Sequence, residues 1–221
     1  MTGRQRLDEP TNFLYPFIDG DESDSGALLA DLAASASVKA AESAALRQDT
    51  LQSSAGLISS AGAEMARRFA AGGRLFTFGN GGSSTDAATL AALFAQPPVG
   101  EALPAWSLTA DQAVLTALGN DVGFDLVFAR QLIARAQAAD MAIAMSTSGN
   151  SADLLLALRE ARGRGLYTIG FTGYDGGAFA TNPDVDVCFV VRSQSVHRIQ
   201  ESQALLGHQL WSAVHAEKGP Q

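Results

Sequence analysis

A short apolar run, a small polar loop and an Ala/Leu-rich helical stretch follow one another twice in this chain. That repetition constrains the fold more than any other feature. The first unit reads Arg74-Leu-Phe-Thr-Phe78, Gly79-Asn-Gly-Gly-Ser83, then a helical pattern from Ser84. The second reads Met141-Ala-Ile-Ala-Met145, Ser146-Thr-Ser-Gly-Asn-Ser151, then another helical pattern. A strand that runs into a helix returns as a parallel neighbour, so such units build a parallel sheet covered by helices. Each loop also precedes a helix N-terminus, where unpaired backbone N–H groups and the positive end of the macrodipole favour an anion. Glycines let the backbone approach that anion closely, and hydroxyls add donors. Phosphate is the anion this chemistry suits, and two such loops predict one small phosphorylated ligand.

The same alternation extends through the rest of the chain. Strands are predicted near 74–78, 104–108, 141–145, 167–172 and 186–191, and helices over 84–95, 110–118, 124–137, 151–164 and 196–215. In open α/β sheets, ligands bind beyond the carboxyl ends of the strands, where both polar loops fall. Upstream, Ala27 to Ala71 is almost continuously helical in propensity and ends at Gly72-Gly73, a helix-stop signal. The polar stretch Asp49 to Ser54 predicts a break, giving two helices. Their Ala-rich stripe suits close helix approach, either between subunits or within one core. Residues 1–25 read as an N-terminal arm with an apolar stretch, Asn12 to Ile18, and an acidic turn, Asp19 to Ser25. Residues 26–217 read as a single domain that includes the N-terminal helices.

Charge limits the partners. Fifteen Lys and Arg stand against 23 Asp and Glu, a net charge of -8, which opposes a nucleic-acid partner because that needs a basic face. An anionic ligand must therefore be held by local donors against the overall field. No apolar run approaches the roughly 18–20 residues that span a membrane. The apolar stretch Phe13 to Ile18 is short and broken by Pro16, unlike a signal peptide, so a cytoplasmic location is expected. Cys188, the single cysteine, lies in the apolar Val187-Cys-Phe-Val-Val191 and reads as a buried structural thiol.

Neither loop matches a nucleotide fingerprint. No Gly-Lys-Ser/Thr follows Gly79, and Ser84 stands where the third glycine of a dinucleotide loop would fall, with no ribose-binding acid evident. The second loop is the more informative one. Ser146, Thr147, Ser148 and Ser151 put four hydroxyls around one helix start, more donors than a structural loop requires.

Five segments then occur in a distinctive order: Gly79-Asn-Gly-Gly-Ser-Ser-Thr-Asp-Ala87, Leu115-Thr-Ala-Leu-Gly-Asn-Asp121, Ser146-Thr-Ser-Gly-Asn-Ser151, Thr172-Gly-Tyr-Asp-Gly-Gly177 and Arg198-Ile-Gln-Glu201. In these the chain resembles the sedoheptulose-7-phosphate (phosphoheptose) isomerases of the sugar isomerase, or SIS, domain superfamily, from about Ala27 to His215. The resemblance implies a flavodoxin-like three-layer α/β sandwich with a parallel sheet, preceded by an N-terminal helical pair. It also implies a homotetramer that binds a sugar phosphate at subunit interfaces. By position it makes Asn80, Gly81, Gly82 and Ser83 ligand-contacting. Ser146, Thr147, Ser148 and Ser151 become the phosphate cup. Asn120 and Asp121 would face sugar hydroxyls, and Gln200 and His208 would line the pocket from the last helix.

Aldose–ketose isomerisation moves a proton between adjacent carbons through an enediol, which requires a base and a group that polarises the carbonyl. In the isomerases the helix after the first loop supplies a His and, four residues later, a Glu on the same face. With a Gln and a His of the last helix they form the catalytic pair and, in many members, a zinc site. Here those two positions are Thr89 and Leu93, and the residues between them are Leu90, Ala91 and Ala92. Gln is a feeble ligand and one His does not hold zinc alone, so no metal and no cofactor are expected. His208 remains as an acid/base candidate. Glu201, seven residues away on the same helix face, is its nearest helper. His197 stands near the start of that helix, and Asp86 reads as a structural acid tying down the helix after the first loop. Two functions stay open. One is an isomerase of sedoheptulose 7-phosphate or a related ketose phosphate. The other is a non-catalytic phosphosugar sensor or protein-interaction factor, with Phe13 to Ile18 as its natural docking segment.

Overall fold

The computed structural model describes residues 25–217; the expected arm at 1–25 lies almost wholly outside them. The described chain falls into two units, one ending at Glu42 and the other beginning at Ser43. In the first, residues 26–42 are helical and exposed throughout, Leu28, Leu29, Leu32 and Val38 included.

The second unit holds a five-stranded sheet: β1 (Leu75–Gly79), β2 (Ala105–Ser107), β3 (Met141–Met145), β4 (Tyr167–Gly173) and β5 (Val187–Val191). All pairs are parallel and the spatial order is β2-β1-β3-β4-β5, the flavodoxin-like order. The chain moves outward from β1 to β2 on one side and to β3 on the other. The carboxyl ends of the adjacent β1 and β3 therefore form the topological switch point, and the two polar loops leave from there.

Strand alternation divides the core into two faces. Leu75, Met141, Ile143, Met145, Ile169, Phe171, Phe189 and Val191 pack with α1 (Ser25–Ala70, through Met65 and Phe69), α2 (Gly82–Ala95) and α6 (Val196–Glu217). Phe76, Phe78, Ala142 and Ala144 pack on the other face with α4 (Val127–Arg135) and α5 (Ala152–Gly163). The result is the three-layer sandwich implied by the sequence. Cys188 sits half-buried against the second face, and burial pushes its thiol up to about 11, the state of an inert structural cysteine.

The strands match their predicted positions within two residues at each end. Two expectations differ. The helix over 124–137 divides into a 3-10 turn, Phe124–Leu126, followed by α4. The N-terminal helical pair is replaced by one continuous helix, α1, of 46 residues. The segment 49–54 contains no proline or glycine, and its polar side chains fit a helix. Thr50 and Ser54 are buried, and the Ser53 hydroxyl donates back to the Thr50 carbonyl at 3.2 Å.

The amino ends of the strands are closed by an ion pair whose acid is buried and whose base is partly exposed. Asp140, 1% exposed, precedes β3 and accepts from the Arg74 backbone N–H (2.8 Å), from its Nε (3.2 Å) and Nη2 (2.8 Å), and from the Gln137 N–H (2.8 Å). Arg68 adds donations to the carbonyls of Ala138, Asp140 and Gly165.

Candidate functional site

At the opposite ends of the strands, β1 runs into Asn80-Gly81 and then α2. Gly81 takes φ 54° and ψ -124°, a conformation in which a side chain would be strained. As a glycine it offers no side-chain cap to the helix it starts. On β3 the chain continues through Ser146 to Ser151 into α5. Ser151 occupies the N-cap position in extended conformation, yet its side chain makes no capping hydrogen bond. Its hydroxyl is therefore not consumed by its own helix, in contrast to Asp111, which caps α3 (Gln112–Asp121) by accepting from the Val114 N–H at 3.1 Å.

These two loops meet in one cavity of about 90 Å³, lined by Asn80, Ser83, Met145, Ser146, Thr147, Ser148, Ser151 and Leu154. Six of the expected site residues thus converge. The volume is far below the roughly 300–1,000 Å³ that encloses a whole small molecule; it suits an anionic group. A larger open groove of about 530 Å³ beside Trp106 and Arg135 contains none of the expected residues. Convergent hydroxyls at two helix starts, rather than size, mark the site.

The cup is braced from below. The Ser146 hydroxyl accepts from the Gly149 N–H at 3.0 Å, and Ser148 Oγ accepts from the Asn150 N–H at 3.3 Å. Gly173 N–H donates to the Thr147 carbonyl at 2.9 Å, which ties the cup to the end of β4. From α6, Gln203, fully buried, donates through Nε2 to the Ser146 carbonyl at 2.9 Å. From α5, Asp153, 3% exposed, accepts from Asn80 Nδ2 at 3.0 Å, joining the first loop to the second. Burial raises the Asp153 carboxyl above the usual carboxylate range, and the Asn80 hydrogen bond opposes that rise.

Other expected residues lie around this centre. Gln200 reaches from α6 to donate to Asp86 Oδ2 at 2.9 Å, and a Cβ on Gly82 would stand 2.5 Å from its Nε2. Gln200, Gly82 and Asp86 are thus in contact, and Asp86 ties α2 to α6. Asn120 and Asp121 do not line the cavity. They end α3 in exposed positions, with Asn120 Nδ2 donating to Asp121 Oδ1 at 2.8 Å. His208 is exposed on α6 with its ring 5.3 Å from that of Trp211, and the exposed Glu201 lies 4.0 Å from Arg47. His197 is exposed as well.

The donor set does not fit zinc. The Thr89 hydroxyl donates to the Thr85 carbonyl at 2.9 Å, Leu93 packs against the apolar core, and the Gln200 amide is engaged with Asp86. Only His208 remains of the four positions, and one imidazole does not hold the ion.

Sequence reasoning missed Asp153 and Gln203. An acid in the first turn of a helix is ordinary, which hid Asp153, although a carboxylate two residues beyond a hydroxyl cup is mismatched in charge. Gln203 lies on the buried stripe of α6 with Ile199, Leu206 and Leu210. A polar residue on that stripe was the available signal.

An open parallel sheet with two glycine- and hydroxyl-bearing helix starts at its switch point defines an α/β domain built around an anion-receptive crevice. The chain belongs to the SIS domain family, in its phosphoheptose isomerase branch. The SIS domain model matches residues 40–173. The phosphoheptose isomerase of Solidesulfovibrio magneticus is 43% identical over 179 residues, covering 78% of this chain and 84% of that protein. That of Roseiflexus sp. is 41% identical over 165 residues, covering 74% and 83%. Among solved structures, phosphoheptose isomerase GmhA from Neisseria gonorrhoeae superposes with a TM-score of 0.77 at 35% identity, covering 84% of this chain and 99% of that one.

Proposed function

We propose that this protein binds a phosphorylated sugar of the sedoheptulose 7-phosphate class, with the phosphate in the cup formed by the loops after β1 and β3. The observation that carries the reading is the convergence of Asn80, Ser83, Ser146, Thr147, Ser148 and Ser151 on one small cavity at two helix starts. The names of its relatives supply the sugar class. Neither a metal nor a cofactor takes part, a reading supported by the residues at the two altered α2 positions, Thr89 and Leu93. The protein works in the cytoplasm. Among the described residues no helix is long and apolar enough to cross a membrane, and the acidic balance disfavours nucleic acid.

The ligand is completed by a homotetramer. The cavity of one chain is too small to enclose a whole sugar phosphate, while Asn120 and Asp121 end an α3 with no buried residue, exposed beside Val122 and Phe124. Such a face suits burial against a second subunit, which brings these residues to a neighbouring sugar.

Isomerisation is the second reading, favoured by the family relationship. In that reaction a base removes the proton from the carbon next to the carbonyl, and the enediol is reprotonated at the adjacent carbon. His208 is the group in this chain that would carry that proton, with Glu201 on the same helix, and both stand clear of the cup. Binding without turnover is the better supported reading, because Thr89 and Leu93 leave those two positions of α2 without an acid or base. Sedoheptulose 7-phosphate in deuterium oxide separates the two. Calorimetric binding that Ser148→Ala weakens, with no exchange at the carbon next to the carbonyl, is the expected result. Exchange above background that disappears in His208→Ala would overturn the binding-only reading, and a lack of any binding would overturn both.

A further inference from the structure

Asp153 is an expensive residue where it stands. A carboxylate buried to 3% exposure needs compensating donors, and here Oδ1 accepts from Asn80 Nδ2, the backbone N–H groups of Asp153 and Leu154 at the helix start add smaller support, and Oδ2 has no hydrogen-bond partner. The titratable group that acts on it across the α5 packing surface is another acid, Asp125, which adds repulsion. The apolar face of α5 is buried through Leu154, Ala157, Leu158 and Ala161, so Asp153 is not needed for that packing.

What the carboxylate does provide is an orientation. An ionised carboxylate is an acceptor only, so the side of Asn80 that faces it must be the NH2 group. The carboxamide oxygen is then turned away from Asp153. Asn80 itself lines the cavity beside Ser83 and Ser146. An oxygen presented there repels a phosphate but accepts from a hydroxyl.

We propose that Asp153 is a positioning residue that locks the Asn80 carboxamide with its oxygen toward the ligand, so that Asn80 reads a sugar hydroxyl rather than the phosphate. The cup then recognises the phosphate through hydroxyls and helix starts, while the Asp153–Asn80 pair distinguishes a phosphosugar from bare phosphate. This inference rests on the phosphosugar reading above.

Calorimetry with two probes, sedoheptulose 7-phosphate and inorganic phosphate, tests it in the full-length protein. Asp153→Asn keeps the shape but offers both a donor and an acceptor, so the orientation of Asn80 is no longer fixed. The expected result is about tenfold weaker binding of the sugar phosphate with inorganic phosphate unchanged within about twofold. Asn80→Ala is expected to do the same, and the double variant to be no weaker than either single one. The Asn80 side-chain amide protons, protected from solvent exchange in the wild type and exchanging faster in Asp153→Asn, report the lock without any ligand. Asp153→Asn that binds the sugar phosphate as the wild type does would overturn this inference alone. So would an equal loss for both probes, the mark of a collapsed cup. Wild-type protein that binds neither probe would overturn the phosphosugar reading and this inference with it.

Discussion

The two ends of the sheet each carry a buried aspartate, and they are treated in opposite ways. At the amino end, Asp140 receives four donations from Arg74 and Gln137. At the carboxyl end, Asp153 receives one side-chain donation, from Asn80, and keeps Oδ2 unpaired. The first arrangement ties the start of β3 to the residue before β1. The second leaves polar capacity unspent beside a cavity of hydroxyls. Complete satisfaction goes with stability at the amino end, and incomplete satisfaction leaves polar capacity at the end where the ligand is proposed to bind.

Asp140 is the residue at which the two ends of the sheet should differ most. Asp140→Ala removes a buried acceptor and leaves the backbone N–H groups of Arg74 and Gln137 unpaired, a loss of about 2–4 kcal/mol. Urea denaturation is expected to show that loss, while phosphosugar affinity of the folded protein stays unchanged. A drop in affinity equal to that of a cup variant would dissolve the distinction between the two ends.

Ser148→Ala at the carboxyl end should do the reverse. Hydrogen bonds to a charged group contribute about 1.5–3 kcal/mol, so calorimetry should find the sugar phosphate bound roughly 10- to 100-fold more weakly. Thermal unfolding without ligand should move by less than about 0.5 kcal/mol.

The pH dependence of stability sharpens the contrast further. Burial raises the Asp153 carboxyl in the folded state, so the folded form holds that proton more tightly than the unfolded form. Stability gained from this group therefore appears as pH falls through its folded value, and Asp153→Asn removes that gain. Glu64 behaves oppositely. The Arg67 hydrogen bond lowers it to about 2 from an ordinary 4.5, so its contribution is complete above pH 4.5 and is lost as pH falls through about 2. Because Arg67 is largely exposed, Glu64→Gln should cost less than about 1 kcal/mol at neutral pH. Denaturation curves at stepped pH for the two variants should diverge from the wild type in opposite directions.

Much of this architecture could be read from residue order alone. Apolar runs of fixed length bounded by glycines and serines locate the five strands, and parallel pairing follows from the helices between them. The cup was readable because hydroxyls cluster densely at Ser146 to Ser151, a chemical signal independent of the fold. Helix continuity through Thr50 and Ser54 was not readable, because whether a polar residue interrupts a helix depends on what it packs against. The Asp153–Asn80 pair spans 73 positions, a separation at which local patterns carry no information. Asn120 and Asp121 remain apart from the cavity for a related reason. In the proposed tetramer their role depends on a second subunit rather than on their own chain.

On the binding reading proposed above, the cup holds a phosphosugar independently of the reaction-bearing positions of α6, His208 and Glu201. Titration of sedoheptulose 7-phosphate into the wild type, Ser148→Ala and His208→Ala measures it most directly. Saturable binding that Ser148→Ala weakens at least about tenfold and His208→Ala leaves within about twofold is the predicted result. Binding lost in His208→Ala but retained in Ser148→Ala would contradict it.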